Sequence, residues 1–590
     1  MDSKIFDIII VGGGTAGPVL ASRLSEDPNL QVLLIEAGED LAGDPRAGIP
    51  SIGSSLLGSP ATNWGFETIT QAGLNNRKNI APSGRLLGGS SAVNGFAFLP
   101  NSESNVNSWA SIGNHGWDWD SFSASMDRFR LTTTSQEKGQ SPLKLTIPEE
   151  DSQCPRVWRD TLSKLGFPVS RNSFSGNILG SVTGLETIDL KKRRSHSANA
   201  YLNSSVRSRG NLTIWTATLA EKVSFDKASD VVTATGIQFF DTIKKERGIV
   251  QARREIIISA GAINSPRLLE ISGIGNGKLL QPLGIDVIID NPNVGENLQN
   301  HPMCTLSFEA LDVDEEGFQT VDPILRKDHD AVTAAQRAYT EGLGPFSKSN
   351  LNILAQLPLM NNGNLDNLMP QRKADMAPSL AGAQESFVRS VLASPTEASG
   401  CYMTIPGFTS FDERGSPISP PPGKYFTIAV HLSHPLSRGS VHITSASPPE
   451  SSSGISIDPK YFSHPLDLEV LARHVQLTET IAMTGPLSDH LKRGGKRGPG
   501  MPAPGGFSDI QTARNYVRNW AKGAHHWMGS CAMAPQDLGG VVDPELRVHG
   551  CANLRVCDAS IIPIAARSDI QGVVYAIAEH GSQIIKSSLK

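Results

Sequence analysis

The first 37 residues constrain this chain more than any other stretch. Residues Ile8–Val11 are an unbroken run of β-branched side chains, the pattern of a strand buried on both faces of a parallel sheet. Gly12-Gly-Gly14-Thr15-Ala16-Gly17 follows at once, and then a helical spacing of Val19, Leu20 and Leu24. Strand, glycine turn and helix in that order make a dinucleotide cradle. Gly12 permits the tight turn, Gly14 lets backbone approach a pyrophosphate, and Gly17 lets helix close on strand. The helix N-terminus then directs free N–H groups and the positive end of its dipole at phosphate. A second apolar run, Val32–Ile35, ends in Glu36 and Ala37. Glu36 stands 19 residues beyond Gly17 (36 minus 17), where an acid accepts hydrogen bonds from an adenosine ribose. The pattern by itself does not separate FAD from NAD.

At 590 residues the chain exceeds the size at which one core stops growing, so two or more structural units are expected. The formal charge, 53 basic against 58 acidic residues or −5, gives no electrostatic reason to expect nucleic acid or an anionic membrane. The basic cluster Lys191-Lys-Arg-Arg194 reads as a solvated loop. Six cysteines occur without a Cys-x-x-Cys pair, which argues for reduced, packed thiols and against a metal site or a disulfide scaffold. The first strand begins too early to leave room for a signal peptide. No apolar run reaches the roughly 20 residues of a membrane helix, so the cytoplasm is the expected compartment.

Three further segments resemble the glucose–methanol–choline oxidoreductase family. Gly84-Arg-Leu-Leu-Gly-Gly-Ser-Ser-Ala-Val-Asn94-Gly95 looks like its first signature, and Gly261-Ala-Ile-Asn-Ser265-Pro266 through Gly275 like its second. The tail supplies the third, with His526-Trp-Met-Gly, Gly540-Val-Val-Asp543, Asn553 through Ser560 and Tyr575-Ala-Ile-Ala-Glu579. Asn63-Trp64, Trp109 to Trp119, Val294 to Leu298 and Ser437-Arg-Gly439 agree in order. The resemblance spans about residues 5–585, with long unmatched stretches within 310–425. It implies FAD as cofactor, oxygen or another electron acceptor, and FAD contacts at Gly12, Gly14, Thr15, Ala16, Gly17, Glu36, Ala37, Trp64, Arg85, Gly89 and Ser90. It further implies Asn94, Gly95, Phe96 and Ala97 along the flavin, Val223 at the adenine, and contacts from Asp558, Ala559, Gln571 and Gly572. In some relatives a histidine just before the Asn94 position bonds covalently to the flavin; here Val93 stands there, so FAD is expected to be held noncovalently.

Taking a proton and a hydride from a carbinol requires a base within reach of the hydroxyl. The resemblance puts that base at His526, and histidine suits the task because its ordinary pKa lies near working pH. Its neighbour His525 reads as a structural or entrance residue. The family's second catalytic position, His or Asn six residues past a proline, is Asp569 when counted from Pro563. An ionised carboxylate accepts hydrogen bonds and cannot donate them. Asp569 therefore reads in three ways: a second base, a binder of a cationic or hydroxyl-rich substrate, or a sign of non-redox chemistry.

The expected architecture is α/β. A Rossmann-like FAD-binding domain is assembled from about 1–100, 195–310 and 525–590. A substrate domain from 101–194 and 311–524 is built on an antiparallel sheet with helices. Residues 311–425 read as loops and short helices roofing the substrate pocket. The expected function is FAD-dependent oxidation of a small, benzylic or allylic alcohol, of the aryl-alcohol oxidase-like branch and serving a biosynthetic pathway. The alternative is an FAD-containing lyase or cyclase. No nucleic-acid or membrane partner is expected, and the oligomeric state is left open.

Overall fold

The computed structural model describes residues 5–129, 142–147, 153–226, 231–312, 318–349, 353–360, 379–448 and 452–590. Two large sheets organise them. In the first, Ile5–Val11 lies parallel between Val32–Ile35 and the long strand Glu246–Ile258. Leu212–Trp215 extends the parallel edge beyond Val32–Ile35. The far half of Glu246–Ile258 pairs in parallel with Leu554–Val556, while its near half joins an antiparallel meander with Thr233–Asp241 and Thr218–Asp226. Ile8, Ile9, Ile10 and the whole of Val32–Ile35 are buried, as an apolar run covered on both faces must be. Gly17–Leu24 packs back over these strands as a helix, and Gly17 is required there. A Cβ at this position would come within 1.9 Å of the Gly12 carbonyl oxygen.

The second sheet runs Lys522–Gly523, Pro302–Glu309, Tyr425–Leu432, Gly400–Ile405, Ile353–Leu357, Gly180–Thr183 and Val169–Ser170. All its pairings are antiparallel except the last. The helix Pro465–Ala482 covers one face through Leu468, Leu471 and Val475, which share a core with Tyr402, Phe426 and Ile428. Pro302–Glu309, inside the span 195–310 assigned from sequence to the FAD unit, is a strand of this second sheet.

The expectation of loops and short helices across 311–425 is corrected. That span supplies Ile353–Leu357 and Gly400–Ile405 to the middle of the second sheet, and a 14-residue helix at Leu380–Ala393. Each strand is too short to declare itself by periodicity, and its position is fixed by cross-strand partners distant in sequence. In the basic cluster Lys191 and Arg193 are exposed, as a solvated loop implies, and Arg194 alone departs from that reading. Arg194 is 1% exposed, because its guanidinium lies 3.5 Å over the Phe96 ring and donates to Asn94.

The C-terminal helix Gln571–Ser588 begins directly after Asp569 and is anchored by one buried carboxylate. Glu579 accepts from Arg23 (Nη2 to Oε1, 2.8 Å), Arg128 (Nε to Oε2, 2.9 Å) and the Tyr201 hydroxyl (2.9 Å). It is wholly buried, so removing it takes the buried acceptor from Arg128 and Tyr201 and leaves Arg23 with Glu26. Glu579→Leu is expected to cost roughly 3–5 kcal/mol, the usual loss when one member of a buried ion pair is deleted. A urea-unfolding midpoint within error of the parent would contradict this.

Candidate active site

A cavity of about 1110 Å³ runs between the two sheets, larger than the roughly 300–1,000 Å³ of an ordinary small-ligand pocket. One end is built from the cradle. Gly12 turns at φ 105°, and a Cβ there would sit 2.4 Å from the Ser259 carbonyl oxygen. Gly14 is different: its Cβ would find only that same oxygen, at 4.0 Å, so the protein itself leaves the side open toward the cavity. The Gly17–Leu24 helix has no side-chain N-cap, which leaves N–H groups of its first turn free to bind an anion. A second glycine loop closes on the first: the Gly88 N–H donates to the Gly13 carbonyl at 2.7 Å, and a Cβ on Gly89 would lie 2.6 Å from Gly14 Cα.

Glu36 lies on the cavity wall with its carboxylate oriented by backbone, Oε2 accepting from Gly13 N–H (2.7 Å) and Oε1 from Gly38 N–H (2.8 Å). Burial pushes its pKa up to about 7, against the lowering effect of those N–H groups and Arg85. Thr15, Ala16, Ala37, Trp64, Ser90, Gly95, Phe96, Ala97 and Ala559 also line the cavity. Asn94 sits mid-wall, donating to Gln571 Oε1 (2.7 Å) while its own Oδ1 accepts from Arg194 (2.8 Å). Asp558 is held by the Gly261 N–H and the Ser265 hydroxyl.

Four expected contacts lie off the cavity lining, Gly17 among them because it closes on the Gly12 carbonyl. The strand at Val223 presents Thr218, Leu219 and Ala220 to the cavity, whereas the Val223 N–H donates to the Ser272 hydroxyl at 2.9 Å. Arg85 lies 4.9 Å over the Trp64 ring, behind the wall. Gly572 serves packing, since a Cβ there would meet Phe98 at 3.1 Å.

At the other end, His526 and Asp569 meet: Nε2 and Oδ1 are 3.1 Å apart. A third residue decides what that contact means. His301 Nε2 lies 2.8 Å from the Ala566 carbonyl oxygen, which can only accept, so His301 carries its proton on Nε2. Burial, with His431 and His526 nearby, holds the His301 pKa well below its ordinary value, so the ring is neutral and Nδ1 is an acceptor. His526 Nδ1, 2.9 Å away, must then be the donor. With Nδ1 protonated, a neutral His526 would point the Nε2 lone pair at a carboxylate. The contact is attractive only if a proton lies on the line between Nε2 and Oδ1. Burial alone would raise the Asp569 pKa, but the bond to His526 and its charge, helped by His431, outweigh it and leave the carboxyl below its usual value. The pair therefore shares one proton between Nε2 and Oδ1.

Several residues here escaped the sequence reading. His301 stands three residues past the Leu298 motif, and His431 interrupts the buried strand Tyr425–Leu432 with neither ring nitrogen hydrogen-bonded. Cys401 Sγ, a ring nitrogen of His431 and a carboxylate oxygen of Asp569 lie within 4.8 Å of one another. A histidine in the largely apolar run Ile428–Leu432 was the one visible signal. His525 lies on the cavity wall at φ 64°, with burial, Lys522 and His526 holding its pKa well below normal.

The family model described as GMC oxidoreductase matches residues 6–303 in its N-terminal part and 435–578 in its C-terminal part. The chain belongs to the GMC oxidoreductase family. The dehydrogenase citC of Monascus ruber is 33% identical over 622 residues, covering 98% of this chain and 96% of its own. An FAD-dependent oxidoreductase from Chaetomium thermophilum superposes with a TM-score of 0.85 at 25% identity, covering 99% of each chain. A fungal aryl-alcohol oxidase, at 23% identity and a TM-score of 0.81 over the whole of both chains, shares the fold. Among the described residues no helix is long and apolar enough to cross a membrane.

FAD is the cofactor of this GMC chain, and the cavity fits it. The open side of Gly14, the uncapped helix start and the orphaned, buried Gln571 Nε2 each offer a place that protein atoms do not fill. Gly14→Val would project a branched side chain into that open side. Purified Gly14→Val is expected to fold without retaining flavin, read as loss of visible absorbance at unchanged far-ultraviolet dichroism. A yellow, folded variant would overturn the placement.

Proposed function

We propose that this chain oxidises a small alcohol, with His526 and Asp569 acting together as the base. The observation that carries this reading is the 3.1 Å contact between His526 Nε2 and Asp569 Oδ1 on the cavity wall. FAD, when bound, supplies the two-electron acceptor for the carbinol hydride. The chain's own residues manage the proton. His301 is a positioning residue: it fixes the tautomer of His526 through Nδ1. The His526 backbone N–H donates to Asn300 Oδ1 at 2.9 Å, which holds the ring's peptide in place. With the pair's proton on Nε2, the remaining lone pair of Asp569 Oδ1 accepts the substrate hydroxyl proton. The adjacent imidazolium stabilises the negative charge that develops on the substrate oxygen.

Anaerobic mixing of the holoenzyme with benzylic alcohols tests the class of reaction. Bleaching of the flavin supports oxidation, and turnover without bleaching supports the lyase or cyclase alternative. His526→Ala is expected to slow flavin reduction by roughly 10²–10⁴-fold with FAD still bound, the usual worth of a positioned acid–base group. Asp569→Asn keeps the shape and removes the basicity, so the rate should fall by about 10²-fold. The pH profile follows from the direction of the Asp569 shift. A carboxyl held below its ordinary value stays ionised to lower pH, so activity that needs it is lost only as pH falls through that depressed pKa. This acid limb should vanish in the Asn variant, since the two groups titrate as one unit. An Asn variant with parental rate and profile would remove Asp569 from the base.

A further inference from the structure

Lys522 is a buried cation on the cavity wall that the proposed proton transfer does not use. It lies in the short strand Lys522–Gly523, opposite Met303 in the second sheet and four residues before His526. The residue is only 5% exposed, yet it lines the same cavity as His526 and Asp569. Its ammonium donates to the Gly415 carbonyl oxygen at 3.2 Å and sits 3.8 Å from the centre of the Phe411 ring.

An ammonium has three N–H donors, and among the described residues a single oxygen acceptor is in place. No carboxylate lies within ion-pair distance of it among the described residues. Asp412, whose charge acts on Lys522, has its Oδ1 committed to the backbone N–H groups of Arg414 and Ser416. Two other cations along the cavity, Arg194 and Arg414, are better provided. Arg194 donates to the Ser91 carbonyl and to both oxygens of Asn94, and Arg414 pairs with Glu67 at 2.7 Å. Burial pushes the Lys522 pKa down to about 7, against the raising effect of Asp412. An apolar side chain would fill this position without the desolvation penalty that an underpaired cation carries. The penalty is relieved when an anion enters the cavity. Met303 and Phe411 give the wall beside Lys522 an apolar patch, next to the more polar Gly415, Ser416 and His525, and that patch suits the body of a small hydrophobic molecule.

We propose that Lys522 is the docking point for a carboxylate on the substrate, so that the alcohols taken here carry an acid group at the far side of an apolar body. This deepens, and rests on, the reading of the cavity as an alcohol-oxidation site. The carboxylate would complete the ammonium's donors with a charge-assisted hydrogen bond, and its position would orient the carbinol toward the His526–Asp569 pair.

The test separates binding from turnover. Holoenzyme is titrated with benzoate and with benzamide, reading the perturbation of the flavin absorbance band. Benzoate is expected to bind at least about tenfold more tightly than benzamide, the scale of a hydrogen bond to a charged group. Lys522→Met should close the gap to below about threefold, and Lys522→Arg should retain most of it. Equal binding of the two probes by the parent enzyme, or a preference unchanged in Lys522→Met, would overturn the assignment. In turnover, 4-(hydroxymethyl)benzoate is compared with its methyl ester, and the ester should show a KM about tenfold higher at similar kcat. Should neither alcohol bleach the flavin while the benzoate preference stands and is lost in Lys522→Met, alcohol oxidation fails and the anion site survives. Equal KM for acid and ester would refute the Lys522 assignment alone.

Discussion

One hydrogen bond, from His301 Nε2 to the Ala566 carbonyl, orders the proton positions around His526. It crosses from the start of the strand Pro302–Glu309 to the segment that carries Asp569. Because a carbonyl can only accept, it dictates where His301 keeps its proton, then where His526 keeps one, and then what charge His526 and Asp569 must share. Tautomer, charge and orientation are therefore set by backbone geometry. A histidine beside an aspartate has no such determined state without the third residue.

The cavity rests on a different constraint, the close approach of two glycine loops. Gly13 and Gly88 share a backbone hydrogen bond, and Gly14 and Gly89 pass within a distance that no Cβ could enter. That contact fixes the floor of the cofactor cleft, while the second sheet supplies the opposite wall through Met303 and Met403. His526, Asp569 and Lys522 all lie on the lining of that cleft.

The wall also divides its charged residues by function. Arg194 is buried but its two terminal nitrogens are employed, clamping Asn94 while the guanidinium covers Phe96, so its charge serves the architecture of this side of the cavity. Lys522 is equally buried and poorly employed, and its charge is left for a ligand. Burial alone does not separate the two; the count of oxygen acceptors around each does.

The sequence by itself determined whatever depends on local backbone rules. The strand, Gly12–Gly17 and the helix after it were legible because a tight turn and a close helix packing demand glycine at set spacings. Glu36, the Gly84–Gly95 loop and the pairing of His526 with Asp569 were legible through spacing and motif. The roles of Arg194, His301, His431, Cys401 and Lys522 were not, and neither was the strand at Gly400–Ile405. Each depends on which distant strand lies alongside: Cys401 faces His431 across one pairing, and Met303 faces Lys522 across another. Nothing within ten residues of Lys522 announces that it is buried. Only the tertiary structure decided that, because burial and protonation are properties of the packed neighbourhood and not of the residue type.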